Sequence, residues 1–211
     1  MDNNPVIIFG AKGLGKVALD IFQSNNIVTY CFLDDDDNLH GKEICDVAVL
    51  GRTDDDGFLK YLGKKCSAFV ASDDNKLRQH LVQMLKEKRK IMPVNAVHSK
   101  AFISEYAFLG YGNMINAGAI INSNAKISNH CIISCNALID FDAQLEDFVQ
   151  IGAGSIINSG VKIEKGAFIG SGATIVSGVT IGKNARIGAG SVVISNVKDG
   201  ETVFGNPAKV V

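Results

Sequence analysis

Residues 150–187 read QIGAGSIINSGVKIEKGAFIGSGATIVSGVTIGKNARI. An aliphatic residue recurs here at every sixth position, and the same spacing continues without a miss from residue 103 to residue 193. The residue four places after each aliphatic one is small or β-branched, with Asn113 as the one departure. A fixed period of this kind marks a repeat architecture. The aliphatic positions are Ile103, Leu109, Ile115, Ile121, Ile127, Ile133, Ile139, Leu145, Ile151, Ile157, Ile163, Ile169, Ile175, Ile181, Ile187 and Val193.

This period predicts a left-handed parallel β-helix of the hexapeptide type. Six residues fit one short strand plus a corner, and three such units close a triangular coil. The aliphatic residue would then point inward, and the small residue would fit the tight corner. An ordinary β-sandwich also alternates apolar residues, but its strands lose register at the turns, whereas this register holds over about 90 residues. No hexad is interrupted, so a site must come from corners, neighbouring subunits or the N-terminal part.

The composition restricts the classes of partner. The 211 residues include 21 basic and 22 acidic ones, and a net charge of −1 argues against nucleic-acid binding. No apolar run could span a bilayer and no signal peptide is present, so we expect no membrane insertion. The five cysteines include no CxxC pair, which indicates reduced thiols and a cytoplasmic protein. The four histidines lack metal-ligand spacing, so no metal site is predicted.

A glycine-rich turn opens the chain. Val6 to Phe9 is a short apolar run typical of a buried parallel strand, and a helical pattern runs from Lys16 to Phe22. The turn between them contains Gly10, Gly13 and Gly15. Such a turn directs backbone N–H groups and the helix dipole at an anion. The spacing is GxxGxG rather than the dinucleotide GxGxxG, so it favours a mononucleotide or a nucleotide sugar.

Four aspartates follow the second predicted strand, Ile27 to Leu33. An acid at this position is where a ribose hydroxyl would be bound, and Asp34 is the candidate, with Asp35 beside it. The alternative is that residues 34–37 form only a solvated acidic loop.

The remaining N-terminal pattern completes a small Rossmann-like domain. A third strand is predicted at Ala68 to Ala71, followed by a helix that residues 72–75 cap and that ends near Lys90. The alternation of strands and helices predicts a three- or four-stranded parallel sheet. We expect this domain to span residues 1–96 and the β-helix to span residues 97–211.

Together these features resemble a known family. The chain is similar to the sialic-acid and sugar O-acyltransferase family, whose studied relatives N-acetylate UDP-4-amino sugars in bacterial glycan synthesis. The resemblance covers nearly the full length. Besides the hexads, it rests on residues 10–16 (GAKGLGK), 32–36 (FLDDD), 41–42 (GK), 49–51 (VLG), 74–78 (DNKLR) and 205–209 (GNPAK).

The resemblance implies a homotrimer that uses acetyl-CoA as acyl donor. In that family acetyl-CoA lies in the groove between two β-helices, and the N-terminal domain holds the nucleotide sugar. The pantetheine arm would then run past Gly170, Ser171, Gly188 and Ala189, and the adenine end would lie near Pro207 and Lys209.

The resemblance also exposes a departure at the catalytic base. The family's base is a histidine, with a second histidine nine residues later, and the ungapped register places Phe141 and Gln150 at these positions. Ser159 stands at the family's turn glycine, Leu14 at a histidine of the glycine turn, and Asp73 at another glycine.

The departure at Phe141 leaves the base and the activity open. A phenylalanine cannot accept a proton, so Asp142 and His130 become the candidate bases. Eleven residues separate His130 from Phe141, which places it at a different corner. Two hypotheses follow. The chain is a transferase that moves an acetyl or acyl group from CoA to a sugar or nucleotide sugar in bacterial surface glycan synthesis, or it is a catalytically inert trimeric binding or scaffold protein of the same fold.

Overall fold

The computed structural model describes residues 4–211, which divide into two compact units with the boundary between Ser99 and Lys100. The elements of the N-terminal unit are, in chain order, β1 (Val6–Phe9), α1 (Leu14–Ser24), β2 (Thr29–Leu33), a 3₁₀ helix (Asp37–Leu39), β3 (Glu43–Ile44), β4 (Val47–Gly51), α2 (Asp56–Leu59), β5 (Ser67–Val70), α3 (Asn75–Arg89) and β6 (Ala96–Val97).

One sheet organises the N-terminal unit, with strand order β3-β4-β2-β1-β5. All neighbouring pairs are parallel except β3 and β4. Strand β1 lies between β2 and β5, and its four side chains are at most 2% exposed. This is the burial expected of a parallel strand that is covered on both faces. The Rossmann-like prediction is therefore confirmed.

The sheet is larger than the sequence predicted. It has five strands instead of three or four, because β3 and β4 form a hairpin that the sequence analysis missed. The two loop residues, Cys45 and Asp46, have φ of 49° and 64°. Two-residue hairpins need this geometry and usually use Asn-Gly or Asp-Gly, so Cys-Asp gives no recognisable signal. The second strand also begins at Thr29, two residues later than predicted.

The second unit contains sixteen two-residue strands followed by a C-terminal hairpin. The strands are β7 (Phe102–Ile103), β8 (Phe108–Leu109), β9 (Met114–Ile115), β10 (Ile120–Ile121), β11 (Lys126–Ile127), β12 (Ile132–Ile133), β13 (Leu138–Ile139), β14 (Gln144–Leu145), β15 (Gln150–Ile151), β16 (Ile156–Ile157), β17 (Lys162–Ile163), β18 (Phe168–Ile169), β19 (Thr174–Ile175), β20 (Thr180–Ile181), β21 (Arg186–Ile187), β22 (Val192–Val193), β23 (Thr202–Gly205) and β24 (Ala208–Val210).

The strands stack into the three faces of a left-handed β-helix. The first face is β7-β10-β13-β16-β19-β22, the second is β8-β11-β14-β17-β20, and the third contains β9-β12-β15-β18-β21 and the hairpin β23-β24. Ile133 pairs with Ile151, and Ile151 pairs with Ile169, in parallel. Each aliphatic residue therefore stacks on the one eighteen positions away, as predicted.

The aliphatic series forms the core of the β-helix. From Ile115 to Val193 every member is at most 2% exposed, whereas Ile103 and Leu109 in the first coil are half-buried. The polar departure, Asn113, is fully buried but hydrogen-bonded: its Oδ1 accepts from the Cys131 amide at 2.8 Å, and its Nδ2 donates to the Ser128 carbonyl at 2.9 Å. These bonds offset the cost of burying an amide at a small-residue position.

The corners require left-handed backbone conformations. The residue three places after each aliphatic one is mostly glycine or asparagine, and from Gly112 to Gly190 its φ lies in the positive range. His130, Asp142 and Phe148 occupy the same position with φ of 58°, 59° and 61°. The left-handed backbone of the turn explains why an aspartate is accommodated at residue 142, since aspartate tolerates this region better than most residues.

No helix among residues 4–211 is long and apolar enough to cross a membrane. Within the same range, no group of three or more His, Cys, Asp or Glu side chains could hold a metal ion.

Candidate functional site

A cleft of about 500 Å³ opens at the carboxyl edge of the N-terminal sheet. Residues from the ends of β1, β2 and β5 and from the starts of α1 and α3 line it. Its apolar wall contains Leu14, Leu77 and Leu81, and its polar wall contains aspartates and one lysine. The lining residues are Phe9, Gly10, Lys12, Gly13, Leu14, Asp34, Asp35, Thr53, Ala71, Ser72, Asp73, Asp74, Leu77 and Leu81.

The glycine turn is shaped by close backbone approaches. Gly10 has φ of 105°, and a Cβ there would lie 2.6 Å from the Ala71 carbonyl oxygen. A Cβ at Gly15 would collide with the Gly10 carbonyl oxygen. Gly13 precedes α1, and no side chain among the described residues caps this helix. The positive end of the α1 dipole therefore lies at the cleft beside Gly13 and Leu14.

Asp34 supports this turn. Its Oδ2 accepts from the Ala11 amide at 2.8 Å, and its Oδ1 accepts from the Asp36 amide at 2.9 Å. The carboxylate thus joins the glycine turn to the end of β2. Each of its oxygens has capacity for a further bond, so a ribose hydroxyl remains compatible with the geometry, and the simple solvated loop does not describe this residue.

Asp35 and Asp74 also have structural partners. Asp35 accepts from the amide and the hydroxyl of Thr53, each at 3.0 Å. Asp74 caps α3 by accepting from the Lys76 and Leu77 amides at 2.7 and 3.1 Å. These two backbone hydrogen bonds lower the pKa of the Asp74 carboxyl below its usual value.

Lys12 and Asp36 form an ion pair at the cleft. The Lys12 Nζ lies 2.6 Å from the Asp36 Oδ2, and the hydrogen bond from Lys12 lowers the pKa of Asp36 to about 2. The same bond raises the pKa of Lys12 above its usual value. Lys12 was not among the predicted site residues, because a lysine in a glycine turn gives no signal of a role until its partner is known.

Phe141 lies at a β-helix corner between β13 and β14 and is 51% exposed. Its carbonyl accepts from the Gly160 amide at 3.1 Å, which ties it to the next coil, where Ser159 precedes Gly160. Asp142 follows Phe141 and is also exposed. The geometry therefore brings an aromatic ring and a carboxylate to the surface at one corner.

His130 lies at another corner, between β11 and β12. Its side chain is buried, with 4% of the residue exposed, and its ring stacks on Phe148 with centroids 4.9 Å apart and an interplanar angle of 29°. This contact was not predicted, although the separation of eighteen residues between His130 and Phe148 indicates that they stack in adjacent coils.

The six expected donor-binding residues lie near one corner of the last coils. Gly170 and Gly188 occupy equivalent positions after β18 and β21, and the exposed Ser171 and Ala189 follow them. A Cβ at Gly170 would lie 2.5 Å from the Ala189 amide nitrogen. Packing between coils therefore requires a glycine at residue 170.

The C-terminal hairpin lies beside this corner. The Phe204 ring covers Gly188 so closely that any side chain there would collide with it. Phe204 pairs with Lys209 across the hairpin, and Pro207 and Lys209 are exposed. Phe204 therefore occupies the space above Gly188, where the pantetheine arm was expected to pass. Ala189 and Ser171 are the accessible members of the set.

Two family models match the chain. The model of the PglD N-terminal domain matches residues 5–85, and the model of the bacterial transferase hexapeptide repeat matches residues 160–195. No curated protein sequence matches the chain significantly.

Solved structures match nearly the whole chain. Perosamine N-acetyltransferase from Caulobacter crescentus, in a histidine-to-asparagine variant bound to CoA and GDP-perosamine, is 32% identical, covers 98% of this chain and 96% of its own, and has a TM-score of 0.91. The acetyltransferase domain of PglB from Neisseria gonorrhoeae, in complex with acetyl coenzyme A, is 27% identical, with coverages of 99% and 100% and a TM-score of 0.91. WeeI from Acinetobacter baumannii AYE is 27% identical, with coverages of 98% and 99% and a TM-score of 0.87. The chain therefore belongs to the hexapeptide-repeat sugar acetyltransferases that carry a PglD-type N-terminal domain.

Proposed function

We propose that the protein transfers an acetyl group from acetyl-CoA to the amine of a nucleotide-linked amino sugar in bacterial surface glycan synthesis. The observation that carries this proposal is the full-length likeness to perosamine N-acetyltransferase, which extends over both units. The cleft at the glycine turn is the proposed site of the nucleotide sugar, with Gly10, Gly13, Gly15, Asp34 and Asp35 around it.

The donor site is proposed at the corner that contains Ser171 and Ala189. Gly170 and Gly188 keep the backbone close to the surface there, and Pro207 and Lys209 would lie towards the adenine end. Because this corner is exposed in the single chain, the groove would be completed by a second copy in a homotrimer. Five free cysteines are consistent with the cytoplasm as the location.

The reaction is acyl transfer from a thioester. The amine nitrogen attacks the carbonyl carbon, the carbon–sulfur bond breaks, and CoA leaves as a thiol after the amine loses a proton. The geometry supports Asp142 as proton acceptor more than His130, because Asp142 is exposed beside Phe141 whereas His130 is buried at another corner. A carboxylate is a weak base at neutral pH. We therefore propose that the amine reacts largely because it arrives unprotonated.

The relatives give no support to the inert alternative, since perosamine N-acetyltransferase and the PglB domain described above are both acetyltransferases. The test is an assay with acetyl-CoA and a panel of UDP-, GDP- and dTDP-linked amino sugars. We expect release of the CoA thiol and a sugar product heavier by one acetyl group, detected by mass spectrometry. Thiol release that does not depend on the sugar would contradict the proposal.

Two variants separate the candidate bases. Asp142→Asn should slow turnover if the carboxylate accepts the proton, whereas His130→Ala should affect folding more than the chemical step. If His130→Ala abolished turnover in a protein with unchanged thermal stability, the assignment of the base would be wrong.

A further inference from the structure

The charges that line the N-terminal cleft are unbalanced. Four aspartates line it, Asp34, Asp35, Asp73 and Asp74, and Lys12 is the one basic side chain among the described lining residues. The substrate class proposed for this cleft carries two negative charges on its diphosphate. A site with this excess of carboxylates would repel such a ligand unless a positive group faced the phosphates.

Three of the four aspartates are explained by the fold rather than by a ligand. Asp34 joins the glycine turn to β2, Asp35 binds Thr53, and Asp74 caps α3. Each of these carboxylates accepts at least one hydrogen bond from a backbone N–H. These aspartates therefore stabilise the edge of the sheet, and their negative charges need no ligand to explain them. A diphosphate in this cleft therefore depends on a positively charged side chain more than it would in a typical phosphate site.

Lys12 has the geometry of that cation. It belongs to the glycine turn directly before α1, whose uncapped N-terminus also favours an anion. Its side chain is 66% exposed, and that of its partner Asp36 is 28% exposed. An ammonium group has three N–H donors, and the bond to Asp36 uses one of them. Two donors remain available to a ligand in the cleft.

We propose that Lys12 binds the diphosphate of the nucleotide sugar and that Asp36 positions its ammonium group for this contact. This inference rests on the proposed function, since it assigns a role within the same cleft. Lys12 is a specificity residue for the phosphates, and Asp36 acts only through it. The negative charge of Asp36 weakens the attraction between Lys12 and a phosphate. In return, the ion pair restricts the long, flexible lysine side chain to the mouth of the cleft.

The test compares binding of diphosphates and nucleosides by titration calorimetry. The ligands are UDP, GDP and dTDP, and the matching nucleosides uridine, guanosine and thymidine. The variants are Lys12→Met, Asp36→Asn and the control Lys16→Met, which removes the same charge from an exposed position on α1 that does not line the cleft. Thermal unfolding of each variant checks that the fold is retained.

Lys12→Met should weaken binding of the preferred diphosphate by about tenfold to a hundredfold, the range for losing a hydrogen bond to a charged group. Binding of the nucleoside and of acetyl-CoA should be unchanged, and Lys16→Met should have little effect. Asp36→Asn should weaken diphosphate binding by a clearly smaller factor than Lys12→Met, because the ammonium group keeps its charge but loses the partner that restricts it.

Two results would overturn the inference without affecting the proposed function. One is unchanged diphosphate affinity in Lys12→Met. The other is equal weakening in Lys12→Met and Asp36→Asn, which would mean that the ion pair only holds the turn. If the wild type bound none of the diphosphates, the placement of the nucleotide in this cleft would fail as well.

Discussion

At the scale of single residues, Phe141 is the position on which the proposed chemistry depends most. It occupies the second position after an inward aliphatic residue, where the side chain points away from the core and is half exposed. The β-helix therefore does not need a phenylalanine there. The departure that the resemblance implies at this position would therefore change the chemistry and not the fold.

The first prediction restores the two histidines. The double variant Phe141→His with Gln150→His should raise turnover of acetyl-CoA with the preferred amino sugar by about 10²–10⁴-fold, the usual contribution of a general base. Asp142 already follows the first position and could orient the new ring. Steady-state rates would be measured at several pH values. The control is Phe141→Ala, which removes the aromatic ring without adding a base and should not give the gain. Absence of any gain, with acetyl-CoA still bound, would mean that the base is not what limits the wild type.

A second prediction concerns the thiols. Burial raises the pKa of Cys31 to about 12, so this residue stays protonated and inaccessible at pH 8. Cys45 is exposed in the hairpin turn between β3 and β4. The thiolate is the reactive form. Brief treatment of the folded protein with iodoacetamide should label Cys45 and leave Cys31 unlabelled, as read by peptide mass spectrometry. Labelling of both at similar rates would show that β2 is not buried as described.

At the scale of elements, the β-helix could be predicted almost completely and the N-terminal sheet only in part. The hexads of the β-helix are a local pattern, because each aliphatic residue contacts its equivalent at a fixed distance along the chain. The β3-β4 hairpin depends on positive φ at Cys45 and Asp46, residues that do not usually signal such a turn.

The candidate site, like the N-terminal sheet, could be predicted only in part. The glycine turn could be found from its spacing, since Gly10 has a φ of 105° and a Cβ at Gly15 would collide with the nearby Gly10 carbonyl oxygen. The pairing of Lys12 with Asp36 joins residues 24 positions apart, and the covering of Gly188 by Phe204 depends on how the C-terminal hairpin folds back. No local pattern contains these contacts.

The third prediction tests the core of the β-helix. Ile151 is 1% exposed and stacks between Ile133 and Ile169. Ile151→Ala should lower the free energy of unfolding by about 2–5 kcal/mol, through lost burial and the cavity left behind. Urea denaturation at a fixed protein concentration would measure this. The control Lys162→Ala, at an outward position of the second face, should change it by less than about 0.5 kcal/mol. A similarly small change for Ile151→Ala would mean that the hexad register is wrong.

The fourth prediction tests the donor corner. Ala189 is exposed, so Ala189→Trp should fold normally but block the space proposed for the pantetheine arm. Acetyl-CoA binding, followed by calorimetry, should be lost. Lys183→Trp is the matched control, because Lys183 occupies the same hexad position at another corner and is also exposed. Wild-type affinity in Ala189→Trp would place the donor elsewhere.

At the scale of the whole molecule, one face of the β-helix presents an apolar stripe. Outward residues of the first face are Phe102, Ile120, Leu138, Ile156, Thr174 and Val192, one coil apart. Phe102, Ile120 and Ile156 are 59%, 41% and 39% exposed in the single chain. The second face has Lys126, Gln144 and Lys162 at equivalent positions after Phe108. The apolar side chains follow one another from Phe102 to Ile156, and a stripe of this kind is typical of a surface that a partner covers.

The last prediction is that this stripe joins three copies. A heterologous contact between one face and a neighbouring corner closes into a ring under cyclic symmetry, and three-fold closure would also place a second subunit beside the corner of Ser171 and Ala189. Light scattering should therefore give three times the chain mass of 22.5 kDa.

The double variant Ile120→Lys with Ile156→Lys would bury two charges without partners and should give monomers that no longer bind acetyl-CoA. Lys126→Glu with Lys162→Glu, the same number of changes on the polar face, should remain a trimer. A wild-type mass near that of one chain would exclude the shared groove, and the donor would then have to bind within a single β-helix.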